Sequence, residues 1–143
     1  MSTSTSYTYE EGIVKKVTIY DAVTADVDLT SAEKIECVGA KAIALAITEG
    51  GTVNNRSAAF TVYVSIDGGV TFAQYNMLID NVTNTNAQNL TRVASKTRNS
   101  AGTDILWFDP ATLRVITHFK LVIDVTDGAA PTGNFTGKVA ITT

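Results

Sequence analysis

Along most of its length the chain alternates apolar and polar residues with a period of two, the pattern of strands that bury one face. It is clearest in residues 58–67, "AAFTVYVSID", where Phe60, Val62, Val64 and Ile66 fall on one side and Thr61, Tyr63, Ser65 and Asp67 on the other. Asp67-Gly68-Gly69 follows as a turn whose glycines accept positive φ, and residues 70–79, "VTFAQYNMLI", are predicted to return as the second strand of a hairpin. A second strong run, "LRVITHFKLVIDV" in residues 113–125, sets Leu113, Val115, Thr117, Phe119, Leu121, Ile123 and Val125 on one face. Arg114, His118, Lys120 and Asp124 lie opposite, with Ile116 and Val122 between them. Asp127-Gly128 is then expected to open a loop through Pro131 and Gly133, and "NFTGKVAIT" to close the chain as the second strand of a C-terminal pair.

Weaker strand candidates are "GIVKKVTIYDAV", "EKIECVG", "AIALAITE", "NLTRVASKT" and "DILWFD". Together these make about eight or nine short strands with turn clusters every 10 to 15 residues or so, which predicts an all-β fold: an antiparallel two-sheet sandwich, jelly-roll-like. Helix signals are nearly absent; "TSAEKIEC" offers Ser31 as an N-cap for at most one turn. Residues 1–11 are Ser, Thr, Tyr and Glu after the initial Met, without a buried-face period, so they predict a flexible N-terminal arm ahead of one domain over residues 12–143.

Composition narrows the function. A chain of 143 residues buries roughly 68% of its unfolded surface and needs no staples. The single cysteine, Cys37, excludes an internal disulfide framework and alternates with Ile35, which reads as a buried, inert thiol. A net charge of −3, with Lys and Arg scattered, gives little attraction to nucleic-acid phosphates. Apolar runs such as residues 43–47 are too short to span a bilayer, and the first residues show neither a basic n-region nor an apolar h-region, so neither a membrane span nor a standard export signal is expected. Sequons at Asn55, Asn81, Asn89 and Asn134 are what a chain rich in Asn, Ser and Thr produces by chance.

Candidate chemistry is sparse. Residues 65–72, "SIDGGVTF", fit the pattern S-x-D-x-G-x-T-[WF] and resemble the Asp-box hairpin of sialidases and related propellers. A sialidase would carry a box in each of several blades, an arginine cluster and a tyrosine with an acidic partner, whereas this chain holds one box in a short sequence. The resemblance covers the hairpin and implies that Ser65 and Asp67 bond the turn's backbone, that glycine permits its left-handed bend, and that the aromatic plugs the core beneath. Ser65, Asp67, Gly68, Gly69, Thr71 and Phe72 are therefore read as a structural turn. His118 is the sole histidine, too few for a triad or a multi-histidine metal site. The acidic pairs Asp26/Asp28 and Asp124/Asp127 lack calcium-loop spacing and are read as solvated. "EGGT" and "DGGV" lie between strands rather than before a helix, so no phosphate loop is expected. No catalytic residue, cofactor or metal follows. Tyr20 and Tyr63, on polar strand faces, and Tyr7 and Tyr9, on the arm, are candidate interface anchors, while Trp107 in "ILWFDP" is read as core.

An acidic all-β chain with a polar arm resembles the small virion proteins of tailed bacteriophages, especially head decoration (auxiliary or cement) proteins. The likeness is carried by "FTVYVSIDGGVTFAQYNMLIDNVTNTNAQNLTRV", by "VITHFKLVIDVTDGAAPTGNFTGKVAIT" and by the arm. It implies a non-enzymatic structural protein, made in the host cytoplasm and carried on the virion. It would bind the major capsid protein on the capsid exterior, reinforce the shell, and assemble as a homotrimer. Ser2, Thr3, Ser4, Thr5, Ser6, Tyr7, Thr8 and Tyr9 would reach neighbouring subunits, several weak arms clamping what one could not; nucleic acid, membrane and cofactor are not expected. The alternative is a carbohydrate-binding β-sandwich module, or a tail-fibre or tail-associated adhesion domain, which would show a row of exposed aromatics.

Overall fold

The computed structural model describes residues 7–10, 14–80 and 90–143. They form ten strands: β1 (Tyr7–Glu10), β2 (Val14–Val23), β3 (Ile35–Glu36), β4 (Ala42–Ser65), β5 (Ala73–Tyr75), β6 (Met77–Asp80), β7 (Leu90–Val93), β8 (Lys96–Arg98), β9 (Gly102–Trp107) and β10 (His118–Thr142). Every pairing is antiparallel and no helix occurs among the described residues. The predicted all-β antiparallel class is what the chain adopts. The strands join in one hydrogen-bonded sheet, ordered β1-β2-β10-β4-β9-β6-β7, with β3 on β10 and with β5 and β8 on β4.

The spine is the ribbon of β4 and β10, which pair along almost their whole length, from His118↔Ser65 to Thr142↔Ala42. This corrects two expectations. The sequence "EGGTVNN" reads as a break between two strands, and "DGAAPTG" as a loop between two more, yet each is the interior of one long strand. The two halves of β10 consequently pair with opposite halves of β4 and not with each other, so no C-terminal two-strand unit forms. The turn residues bend the strands instead of ending them. Asn55 and Ala130 take left-handed φ of 55° and 50°, Gly133 takes 96°, and the register slips between Asp127 and Asn134. Asparagine and glycine tolerate that region at low cost, and bulges of this kind sharpen local bending.

The bend is large. Phe135 pairs with Glu49, eleven residues along β4 from Phe60, a span of about 36 Å in a straight strand. The Phe60 and Phe135 rings nevertheless meet edge to face with centroids 6.0 Å apart, so the ribbon doubles back and encloses its own core. Ile43, Leu45, Ile47, Phe60, Val62, Phe119, Leu121, Ile123, Phe135 and Ile141 are all buried there. In β4 the buried apolar positions are odd-numbered before the bend and even-numbered after it, which a single uninterrupted alternation could not supply. The bend is pinned by Arg56, whose Nε donates to Asp127 Oδ1 at 2.7 Å and whose Nη1 donates to the Gly133 carbonyl, and by Asn55 Nδ2, which donates to the Ala129 carbonyl at 2.6 Å.

Smaller departures have local causes. The run from Leu113 does not begin as a strand: residues 110–115 turn, Val115 is 63% exposed, Ile116 is buried, and regular pairing starts at His118. Tyr20, expected on a polar face as an interface anchor, is fully buried, because register slips opposite Phe135, Gly137 and Lys138 shift the phase of β2. The Glu33 amide donates to its hydroxyl at 3.3 Å, and burial pushes its pKa up to about 12. Ser31 caps no helix; Asp28 Oδ1 accepts from its amide at 2.8 Å and its hydroxyl at 2.9 Å in a single turn. Cys37 is buried, as expected, and burial raises its thiol to about 11.

Tyr7–Glu10 are not structureless. They lie against β2 in register Tyr7↔Val17 to Glu10↔Val14, where an aromatic and β-branched stretch can extend a sheet edge. Residues 1–6 and 11–13 fall outside the described residues, so the partner-binding expectation for Ser2, Thr3, Ser4, Thr5 and Ser6 does too.

Candidate functional site

The Asp-box-like segment becomes a loop over residues 66–72 between β4 and β5, strands paired through Val64↔Ala73, Tyr63↔Gln74 and Val62↔Tyr75. The hairpin forms as predicted, with a longer loop: β4 ends at Ser65 rather than Ile66, and pairing resumes at Ala73 rather than Val70. The return run is also split at Asn76, since β6 leaves β4 for β7 and β9.

Two side chains organise the loop. Asp67 Oδ1 accepts from Ser65 Oγ at 2.7 Å, from the Thr71 amide at 3.0 Å and from the Val70 amide at 3.2 Å, while Oδ2 accepts from Thr71 Oγ at 2.6 Å. Ser65 Oγ, buried beneath, accepts from the Gly69 amide at 2.9 Å and the Asp67 amide at 3.3 Å. Four donors on one carboxylate stabilise its charged form, the Ser65 hydroxyl most, and hold Asp67 well below the usual carboxylate range. Gly68 and Gly69 take φ of 80° and 82°, conformations that L side chains rarely adopt. At Gly69 a Cβ would also stand 3.2 Å from the His118 ring and from Lys34. Phe72 is half-buried rather than a core plug; the Lys120 ammonium sits 4.6 Å from its ring centroid and donates to the Leu29 carbonyl at 2.9 Å.

This loop is locked to two others. The Thr117 amide donates to the Ser65 carbonyl at 2.8 Å, the Cys37 amide to the Thr117 carbonyl at 2.8 Å, and the Gly68 amide to Thr117 Oγ at 3.0 Å. Among the described residues the four most exposed large apolar side chains, Val70 (78%), Ile66 (68%), Val115 (63%) and Val38 (61%), stand on these three tied segments. Sequence reasoning missed the grouping. It assigned Ile66 and Val115 to buried strand faces, and only their places next to the motif and to a turn could have suggested otherwise. The result is an apolar rim at one end of the ribbon, held in place by hydrogen bonds below it. Apolar groups fixed outward in this way bind a partner with little ordering cost.

The other expected positions fall elsewhere. Trp107 is 40% exposed, not core: Leu106 and Phe108 take the inward positions, and with apolar neighbours on both sides the sequence could not settle the phase. Tyr75 stacks on Phe108 with centroids 4.9 Å apart, and its hydroxyl accepts from the Asp109 amide at 2.9 Å. Tyr63 is half-buried on the outer face of β4. His118 is half-buried, its Nδ1 3.1 Å from Thr117 Oγ. Asp26 Oδ1 accepts from the Val125 amide at 2.7 Å, and among the described residues no three His, Cys, Asp or Glu side chains group as a metal site. In comparisons with known proteins, no family model, no curated protein and no solved structure matches this chain.

Proposed function

We propose that the chain is a non-enzymatic structural protein that docks on an assembled protein surface, and that this surface is the exterior of a phage capsid. The observation that carries the reading is the apolar rim of Val38, Ile66, Val70 and Val115 on loops tied by backbone hydrogen bonds. Such a rim suits attachment to a preformed surface and supplies no reacting group. The resemblance of the sequence to head decoration proteins of tailed phages supports the capsid as partner, a homotrimer as the working form, and reinforcement of the shell on the virion as the role. In this reading the doubled-back sheet is a two-layer, jelly-roll-like sandwich, and residues 2–9 contact neighbouring capsid subunits. Tyr7–Glu10 lie on β2 at one end of the sheet order, and in this reading a sheet edge makes part of that contact.

Co-sedimentation with assembled capsids of the encoding phage tests this. The full chain is expected to pellet with capsids and not with unassembled capsid protein. Removal of residues 2–6 should weaken binding while leaving the melting temperature unchanged. Failure of the full chain to bind capsids would refute the reading. The carbohydrate-binding alternative is favoured by one observation, the outward Trp107; glycan-array binding lost on Trp107→Ala would establish it.

A further inference from the structure

The outer face of β2, β10, β4 and β9 carries a trough whose cavity measures about 370 Å³. Cross-strand register explains its shape. Ala44 pairs with Trp107 and with Ala140, and Ala46 pairs with Ile105 and with Lys138. The small side chains form a floor; Ile105, 40% exposed, stands on the β9 side, and Lys138 and Lys16 on the other. Lys16 follows from the pairing Ala140↔Lys16 on β2. Among the described residues no carboxylate lines this trough, although the chain as a whole is acidic. It is an apolar slot with a basic rim.

Elsewhere the same chain carries the complement. Asp26, Asp28 and Asp124 surround a depression of about 240 Å³ with Tyr63, Val122 and Leu29. Asp26 and Asp28 each accept backbone hydrogen bonds through Oδ1, which fixes their carboxylates in place. Asp124 is exposed on the face of β10 opposite Phe119, Leu121 and Ile123. Among the described residues neither the Asp124 nor the Lys138 side chain takes part in a hydrogen bond or ion pair within the chain. One surface thus offers basic groups beside an apolar slot, and the other offers acidic groups around an aromatic and two aliphatic side chains.

We propose that the trough receives the Asp26/Asp28/Asp124 face of a second copy of this chain. Two different, complementary patches on one protomer make a head-to-tail contact, which closes into a ring when the rotation between the patches permits. The contact deepens the homotrimer part of the function proposed above and rests on it, because a cyclic trimer needs heterologous contacts of this kind. Opposite charge on the two rims sets which patch meets which, and copies cannot pair like face to like face without bringing carboxylates or ammonium groups together.

Charge exchange tests the contact by sedimentation velocity at graded concentration and salt. Lys138→Asp and Asp124→Lys should each weaken self-association about tenfold, a loss of about 1.4 kcal/mol. The double variant that carries both exchanges should recover it, because the two reversed charges then face each other across the contact. Should the double variant misfold, mixing the two single variants restores the pair wherever unlike protomers meet, two of the three contacts in a ring, and should recover association in part. Added salt should weaken association of the wild type. A wild type that associates but is indifferent to both single variants would overturn this contact and leave the oligomer standing. A wild type that stays monomeric at high concentration would overturn both.

Discussion

The β4–β10 ribbon changes course twice, and it does so by opposite means. At the bend around Asn55 and Asp127 the strands run through without a break, and a cation does the pinning: Arg56 holds Asp127 and the Gly133 carbonyl from a side chain only 10% exposed. At the loop end the strand stops, and an anion does the pinning: Asp67 gathers four donors at the exposed surface. The first device serves the interior, bringing Phe60 onto Phe135. The second serves the exterior, holding Ile66 and Val70 outward. A buried pin carries global stability because its loss strands desolvated groups, whereas an exposed pin shapes a local surface that water can otherwise solvate.

The largest test of this contrast removes what the bend achieves. Phe135→Ala should cost about 3–5 kcal/mol in denaturant unfolding, because the ring fills the core where the two halves of the ribbon meet. Next comes the pin itself. Arg56→Met keeps most of the stem but leaves the Gly133 carbonyl without its donor, and should cost about 2 kcal/mol by the same assay. The loop-end variant Asp67→Asn is expected to lower the unfolding midpoint less than Arg56→Met does while speeding hydrogen exchange at the Val70 and Thr71 amides. Comparable global losses for Arg56→Met and Asp67→Asn would erase the distinction between the two devices.

Acidity offers a finer test. Hydrogen bonding depresses Asp67 in the folded state, so what its charge contributes is complete above the ordinary carboxylate pKa of about 4 and is lost as pH falls below that through the folded value. Glu49 behaves in the opposite sense. It is 2% exposed, both carboxylate oxygens lack hydrogen-bond partners, and burial raises its pKa despite Arg98 nearby. Its folded form holds a proton that the unfolded chain releases at lower pH, so stability declines as pH rises from about 4 towards the folded pKa. Glu49→Gln should remove that decline and stabilise the protein more at pH 8 than at pH 5, as thermal melts at the two values would show. A pH profile identical to wild type would contradict it.

How much of this was legible in the sequence depended on whether a residue's neighbours agreed with it. Phe60, Val62, Phe119 and Leu121 fall on either side of polar Thr61 and Lys120, so their burial could be read directly. The hairpin could be read because its turn chemistry is local, with Asp67, Gly68 and Gly69 in one place. The bend could not, since Gly50-Gly51 and Asn54-Asn55 signal a turn equally well whether a strand ends or folds over. Trp107 and Tyr20 were misplaced for related reasons: apolar residues of both parities flank the first, and a register slip in a partner strand moves the second. The apolar rim was hidden because Val38, Ile66 and Val115 come from segments far apart in sequence, joined through Thr117.

The claim that the Asp67 loop exists to present an apolar docking rim is tested most directly by Ile66→Ser/Val70→Ser in the capsid co-sedimentation assay. Both side chains are more than two thirds exposed, so the melting temperature should stay that of the wild type, while capsid affinity should fall about tenfold or more, the loss of some 1.4 kcal/mol of apolar contact. Capsid binding at wild-type strength by this double variant would contradict the account.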